Sequence, residues 1–378
     1  MLLVCATTAQ AASVTLAWNA NVDGNTTGYK VYWGTRSGVY TNSLDVGNRT
    51  TWVVGGLTDG SPYYFIVRAY NVARMESSPS VEVSKRVGVP YSIAGDFSGD
   101  LLSEISIFRP SSGTWYSLQS GTGFTGGTAY TWGVNGDIPV PADFDGDSRS
   151  EMAVYRPSSG HWFLLKSTTN YSAWSTYQWG VPNDKPVPGD YDGDGKADIA
   201  IYRPSSGSWY ILLSTSGFSA GAGYVWGGGE DMPVPADYDG DGRMDLAVYR
   251  PSSGHWFIKK SSSNYAQTVT YQWGVPGDEP VAGDYDGDGK TDLGVYRSSD
   301  GKWYLLLSST GFTTSANYAW GGLGDVPVPG DFDGDGRVDV AVYRPASAHW
   351  FIRKSSTDYS TSVTYQWGST GDIPILKK

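Results

Sequence analysis

Pro186-Val187-Pro188-Gly189-Asp190-Tyr191-Asp192-Gly193-Asp194-Gly195-Lys196-Ala197-Asp198 runs directly into Ile199-Ala200-Ile201-Tyr202-Arg203, the turn Pro204-Ser205-Ser206-Gly207, and Trp209-Tyr210-Ile211-Leu212-Leu213. With Tyr224-Val225-Trp226-Gly227 further on, the stretch reads as four short β-strands separated by an acidic loop and by turn-forming residues. The pattern recurs along the chain. The first Asp of each acidic loop falls at Asp96, Asp143, Asp190, Asp237, Asp284 and Asp331, and every interval is 47 residues. A fixed period of this length marks units that cannot bury their apolar face alone and must stack on their neighbours. Four strands per unit make one propeller blade, so residues 89–378 are expected to form a six-bladed β-propeller.

A second period lies over the first. Gly123-Phe124, Gly217-Phe218 and Gly311-Phe312 mark the odd repeats, while the even repeats carry His161, His255 and His349 in His-Trp-Phe. The unit is then a 94-residue blade pair, and a closed ring would have approximate threefold symmetry. Twelve of the sixteen Trp sit at two repeat positions, those of Trp209 and Trp226, which favours blade packing over sugar stacking. Both Tyr91-Ser92-Ile93-Ala94-Gly95 and Asp372-Ile373-Pro374-Ile375 are equivalents of a blade's first strand. One would seal the ring, and the other would be left to pair with a second subunit.

Fifty Gly, twenty Pro and 14% aromatic residues leave little room for long helices, so the whole chain reads as all-β. Its formal charge of −11 comes from Asp in recurring clusters, a poor surface for nucleic acid. Clustered carboxylates call instead for a hard divalent cation between them. Cys5 stands alone, so no intrachain disulfide forms. Residues 1–12 read as the remnant of a secretory signal peptide closing on Ala9-Gln10-Ala11-Ala12, or else as an apolar first strand; the former implies export. No later stretch approaches the roughly 20 apolar residues of a membrane span.

Residues 13–88 alternate in the way of a sandwich: Val14-Thr15-Leu16-Ala17-Trp18, Gly28-Tyr29-Lys30-Val31-Tyr32-Trp33, and Tyr63-Tyr64-Phe65-Ile66-Val67-Arg68-Ala69-Tyr70. The stretch resembles a fibronectin type III domain, with Trp18 as its core Trp and Leu57-Thr58-Asp59-Gly60-Ser61-Pro62-Tyr63 as its tyrosine corner. Such domains serve as spacers or adhesion modules.

The acidic loops carry the chemistry. Asp190, Asp192, Asp194 and Asp198 stand at loop positions 1, 3, 5 and 9, with the Lys196 carbonyl at 7, the alternation that brings oxygens to one point on a tightly turned loop. This is a calcium pattern, but Ile201 at position 12 and the flanking strands exclude an EF-hand. Equivalent sets are Asp237, Asp239, Asp241, Arg243 and Asp245; Asp284, Asp286, Asp288, Lys290 and Asp292; and Asp331, Asp333, Asp335, Arg337 and Asp339. The set Asp143, Asp145, Asp147, Arg149 and Glu151 has Ser148 in place of a glycine and is expected to bind still. Asp96, Ser98, Asp100, Leu102 and Glu104 form a weaker copy that has lost a carboxylate, which gives five or six Ca2+ sites.

Repeats reading D-x-D-G-D-G-x-x-D, then apolar residues and Tyr-Arg-Pro-Ser-Ser-Gly, resemble the FG-GAP and VCBS repeat family. The resemblance implies a calcium-loaded propeller of the general kind seen in integrin α-subunit heads and bacterial surface proteins; it implies no particular ligand. The expectation is an extracellular calcium-binding structural or adhesive surface protein that self-associates through its fibronectin-like domain and C-terminal strand. A carbohydrate-binding, lectin-type propeller is the alternative, and a glycan or a surface protein is the expected kind of ligand. A propeller hydrolase lacks a nucleophile or acid pair outside the loops, and the six Arg at the position of Arg203 read as braces for a carboxylate.

Overall fold

The computed structural model describes residues 13–21, 25–35, 38–57, 62–80, 82–86 and 95–376. Segment 1–12, the 58–61 turn of the expected tyrosine corner, and the lead-in 91–94 lie outside the described residues. The chain divides into two compact units, Met1–Val89 and Pro90–Lys378.

In the first unit, Val14–Ala17 pairs antiparallel with Thr51–Val54, and a second sheet runs in the order Asn42–Gly47, Gly28–Gly34, Pro62–Tyr70, Val83–Arg86. Alternate residues point inward, as the period-two pattern requires: Val14 and Leu16 from one sheet meet Tyr29, Val31, Phe65 and Val67 from the other. Trp18 closes this core edge-on to Tyr29, with ring centroids 5.6 Å apart.

Among its described residues, the second unit holds six four-stranded antiparallel sheets. Blade 2 consists of Ile138–Pro139, Met152–Arg156, His161–Leu165 and Trp174–Gln178; blade 3 of Lys185–Pro186, Ile199–Arg203, Ser208–Leu212 and Gly221–Val225. Blades 4, 5 and 6 repeat this order from Met232–Pro233, Glu279–Pro280 and Val326–Pro327. Blade 1 draws its first strand from the far end of the chain: Ile373–Pro374 pairs with Ile105–Arg109, which continues to Thr114–Leu118 and Gly127–Thr131. The C-terminal strand is therefore the one that seals the ring, and, being paired within blade 1, it is not the spare strand expected to pair with a second subunit.

Both tryptophan rows hold blades together. Trp209 and its five equivalents are fully buried, and each indole N–H donates to the carbonyl that follows its own blade's fourth strand, as in Trp209 to Trp226 at 2.8 Å. The second row reaches across: Trp132, Trp179, Trp226, Trp273 and Trp320 each donate to a third-strand carbonyl of the next blade, and Trp367 closes the circle onto Tyr116 at 3.2 Å. Indole N–H groups engaged in this way satisfy buried polarity while the rings supply apolar area.

The paired repeat produces two kinds of blade interface. Tyr171, Tyr265 and Tyr359 of the even blades send their hydroxyls to two buried carbonyls, one of them in the preceding blade's acidic loop. Phe124, Phe218 and Phe312 of the odd blades pack instead on Tyr365, Tyr177 and Tyr271.

Candidate metal sites

Antiparallel order places the loop between strands one and two at the same end of a blade as the connection between strands three and four. The acidic loops sit at that end, against a one-turn 3-10 helix such as Ser214–Ser216.

Asp190 heads its loop and accepts N–H bonds from Gly193 at 2.6 Å and Gly195 at 2.8 Å, one on each oxygen. Both glycines have positive φ, +86° and +87°. Leu101 and Ser148 hold the second of these positions at φ 68° and 69° in the first two loops, a conformation that costs a side chain about 1 kcal/mol. Asp194 accepts the Lys196 N–H at 2.9 Å. Asp198 immediately precedes the next strand and takes N–H bonds from Tyr191 at 2.9 Å and Ser214 at 2.7 Å.

Three of the four carboxylates expected to share each full site lie together in the clusters that follow, and Asp198, Asp245, Asp288 and Asp147 fall outside them. Asp190, Asp192 and Asp194 each place an oxygen within 4.8 Å of the others. The same holds for Asp237, Asp239 and Asp241, for Asp284, Asp286 and Asp292, for Asp143, Asp145 and Glu151, and for Asp96, Asp100 and Glu104. In the last loop, Asp339, Asp335 and Asp333 all raise the pKa of buried Asp331, after burial itself.

Burial pushes Asp190, Asp245 and Asp292 up to about 7, and Glu151 up to about 8. Neighbouring carboxylates add to the effect, while backbone and serine donors oppose it. At an effective dielectric near 20, like charges about 4 Å apart repel by about 4 kcal/mol before relaxation, so the set is held together against its own charge.

The fit to a hard cation rests on a further feature. Asp192 Oδ2 accepts the Thr215 hydroxyl at 2.6 Å, but its Oδ1 is buried with no partner, and Asp239 repeats this beside Ser262. A buried carboxylate oxygen without a donor is costly, and its all-oxygen neighbourhood suits an oxygen-seeking divalent ion.

Sequence reading missed two rows of partners. Ser120, Ser167, Ser214, Ser261, Ser308 and Ser355 each donate a hydroxyl to the position-5 carboxylate, at 2.7–2.9 Å. The next residue, Thr168, Thr215, Ser262, Ser309 or Ser356, donates to position 3. Where the first loop has Ser98 at position 3, the donor position is Gly121, so both halves of the pair are missing together. Each Ser lies 24 residues past its loop's first Asp, a constant offset that would have revealed the row.

Position 7 does more than present a carbonyl. Arg149, Lys196, Arg243, Lys290 and Arg337 lie across Gly99, Gly146, Gly193, Gly240 and Gly287 of the preceding loop, where a Cβ would meet them at 2.8–3.0 Å. Leu102 takes this place over Gly334. Residue 8 of each loop also donates its N–H to the first Asp carbonyl of the preceding loop, as Met244 does to Asp190 at 2.7 Å. The loops thus form a continuous ring.

At the opposite end, Arg203 grips Asp184 through both Nε and Nη2, at 2.8 and 2.9 Å, and lies 4.6 Å over the Tyr210 ring. Arg109, Arg156, Arg250, Arg297 and Arg344 do the same with Asp372, Asp137, Asp231, Asp278 and Asp325. These Asp were not singled out from sequence. His161, His255 and His349 stack on Phe163, Phe257 and Phe351, and each Nδ1 lies within hydrogen-bond distance of the serine two residues earlier. No described helix is long and apolar enough to cross a membrane.

Known proteins bear on this arrangement. The FG-GAP-like repeat matches residues 143–201, 190–248, 237–295 and 284–342, and the fibronectin type III domain matches residues 3–84. A kelch domain-containing protein of Saccharolobus solfataricus is 39% identical over 79 residues, 21% of this chain and a tenth of that relative's length. Among solved structures, the periplasmic gluconolactonase of Pseudomonas aeruginosa aligns at 13% identity and TM-score 0.42, covering 92% of this chain and 99% of that one. Virginiamycin B lyase of Staphylococcus aureus aligns at 8% identity and TM-score 0.36, covering 97% and 90%. Neither repeat nor domain description carries a catalytic activity. The repeat matches together span more than half of the chain, which therefore belongs to the FG-GAP-like repeat family, with a fibronectin type III domain ahead of its repeats.

Proposed function

We propose that this is an extracellular structural or adhesive protein in which Ca2+ braces one end of every blade. The observation that carries the reading is the buried, partnerless Oδ1 of Asp192 and Asp239 inside clusters of convergent carboxylates. The carboxylates at positions 1, 3, 5 and 9, with the position-7 carbonyl, would hold the ion, from Asp190 to Asp198 in blade 3 and likewise in the four other full loops. The first loop, with Ser98 at position 3, would hold it more weakly. The ion supplies the positive charge that lets these carboxylates stay ionised while buried.

Sites of this type in extracellular modules bind calcium at about 0.1–1 mM, so they fill outside a cell and empty inside it. The fibronectin type III domain fits a tether or contact module on such a protein. The test is a thermal melt with static light scattering, in millimolar Ca2+ and in chelator. A higher melting temperature in Ca2+ is expected, and defined oligomers would mark self-association as the adhesive mode. Identical melts in the two conditions would refute the calcium reading.

A further inference from the structure

The repeat breaks most clearly in blade 1, and a cavity of about 210 Å³ lies there, between blades 1 and 2 and beside the first acidic loop. At one position of the third strand, blades 2 to 6 carry Leu164, Ile211, Ile258, Leu305 and Ile352, each buried. Blade 1 has Ser117. On the adjoining strand, Ser106 replaces Ala153, Ala200, Ala247, Gly294 and Ala341. Ser106 donates to Ser117 at 2.7 Å inside the core, which leaves the Ser117 proton for another acceptor.

Of the other polar side chains around the cavity, the Ser98 and Tyr171 hydroxyls are engaged and three are not. Gln119 and Thr128 of blade 1 and Asn170 of blade 2 make no side-chain hydrogen bond to a described residue. The charged groups, by contrast, are engaged already. Glu104 accepts the Phe97 N–H at 2.6 Å and the Ser120 hydroxyl at 3.1 Å, and Arg149 donates to the Phe97 carbonyl at 3.0 Å. Tyr130 and Tyr171, 5.2 Å apart, give an apolar wall.

We propose that this cavity binds a small neutral polyhydroxylated molecule, a polyol or a single sugar ring. Amides and hydroxyls that both donate and accept match hydroxyl groups, and the half-buried Tyr130 ring matches C–H surfaces. A volume below the roughly 300–1,000 Å³ of drug-sized clefts limits the occupant to about one ring. The cavity borders the acidic loops through Ser98, Glu104 and Arg149, but none of its unengaged groups is a carboxylate.

The test titrates the full chain, in Ca2+, with glycerol, D-glucose and N-acetyl-D-glucosamine by calorimetry and saturation-transfer NMR. Ser106→Ala with Ser117→Leu installs the pair already present in blade 2, and Gln119→Leu installs the residue found at Leu213, so both variants should fold, with melting temperature as the check. Saturable 1:1 binding of at least one compound, weakened roughly tenfold or more in both variants, is expected. The absence of saturable binding to all three, or unchanged binding in the filled variant, overturns the proposal. Capture of the same sugar coupled to albumin would identify a glycan end as the source; binding of the free compound alone would identify a diffusing solute.

Discussion

The two ends of each blade solve the same problem in opposite ways. At one end a buried Asp, such as Asp184, meets a guanidinium of its own blade, so its countercharge is covalently supplied and always present. At the other end, Asp190, Asp192, Asp194 and Asp198 meet serine and backbone donors; in two other loops a single guanidinium reaches one of the four, Arg243 to Asp241 at 3.0 Å and Arg337 to Asp335 at 2.9 Å. If calcium fills the acidic loops, one end of each blade is stable by itself and the other on condition, and the protein responds to the ionic composition of its surroundings through that second end.

Removing calcium should give the largest effect. At 2 mM Ca2+, each full site contributes about 0.7–1.8 kcal/mol if it binds at 0.1–1 mM. Five sites then shift the propeller melting temperature by about 6–18 °C, read by scanning calorimetry with and without chelator. Arg203→Ala comes next: it strands buried Asp184 and should cost about 2–3 kcal/mol in chelator and in calcium alike. A loss that appears in only one of the two conditions would break the division between the ends.

A pH series sharpens the contrast. Because folding raises the pKa of Asp190, Asp292 and Glu151, their contribution without metal is full below the unfolded carboxylate range and is lost as pH rises through about 7–8. The chelated protein should therefore melt a few degrees higher at pH 5.5 than at pH 8. In calcium the order should reverse, since protons compete with the ion. Ser214→Ala should have the smallest effect, about 1 kcal/mol in chelator and less in calcium, where the ion takes over the role of the hydroxyl proton.

The acidic clusters were legible in sequence because their members are local: carboxylates within nine residues of one another meet without knowledge of the fold. The blade count followed from the 47-residue interval for a similar reason. Ser214 was not found, because it sits on a different connection and a Ser-Thr pair reads as an ordinary turn. Asp184 escaped notice in Asn183-Asp184-Lys185-Pro186 because its partner, Arg203, is 19 residues away across a strand pair. The closing strand was undecidable, since residues 91–95 and 372–375 carry the same pattern and only long-range pairing separates them. The opening at Ser117 reads as a single polar substitution until its five counterparts are set beside it.

Closure through Ile373–Pro374 also governs how the chain is made. Arg109 and Asp372 are separated by 263 residues, so at about 5–20 residues per second the ribosome works for tens of seconds before blade 1 can be completed. Throughout that interval the edge of Ile105–Arg109 stays open to chaperones, to export machinery or to another nascent chain. A product cut short before residue 372 would carry that edge permanently, which makes ring closure a built-in check that translation has run through the last blade.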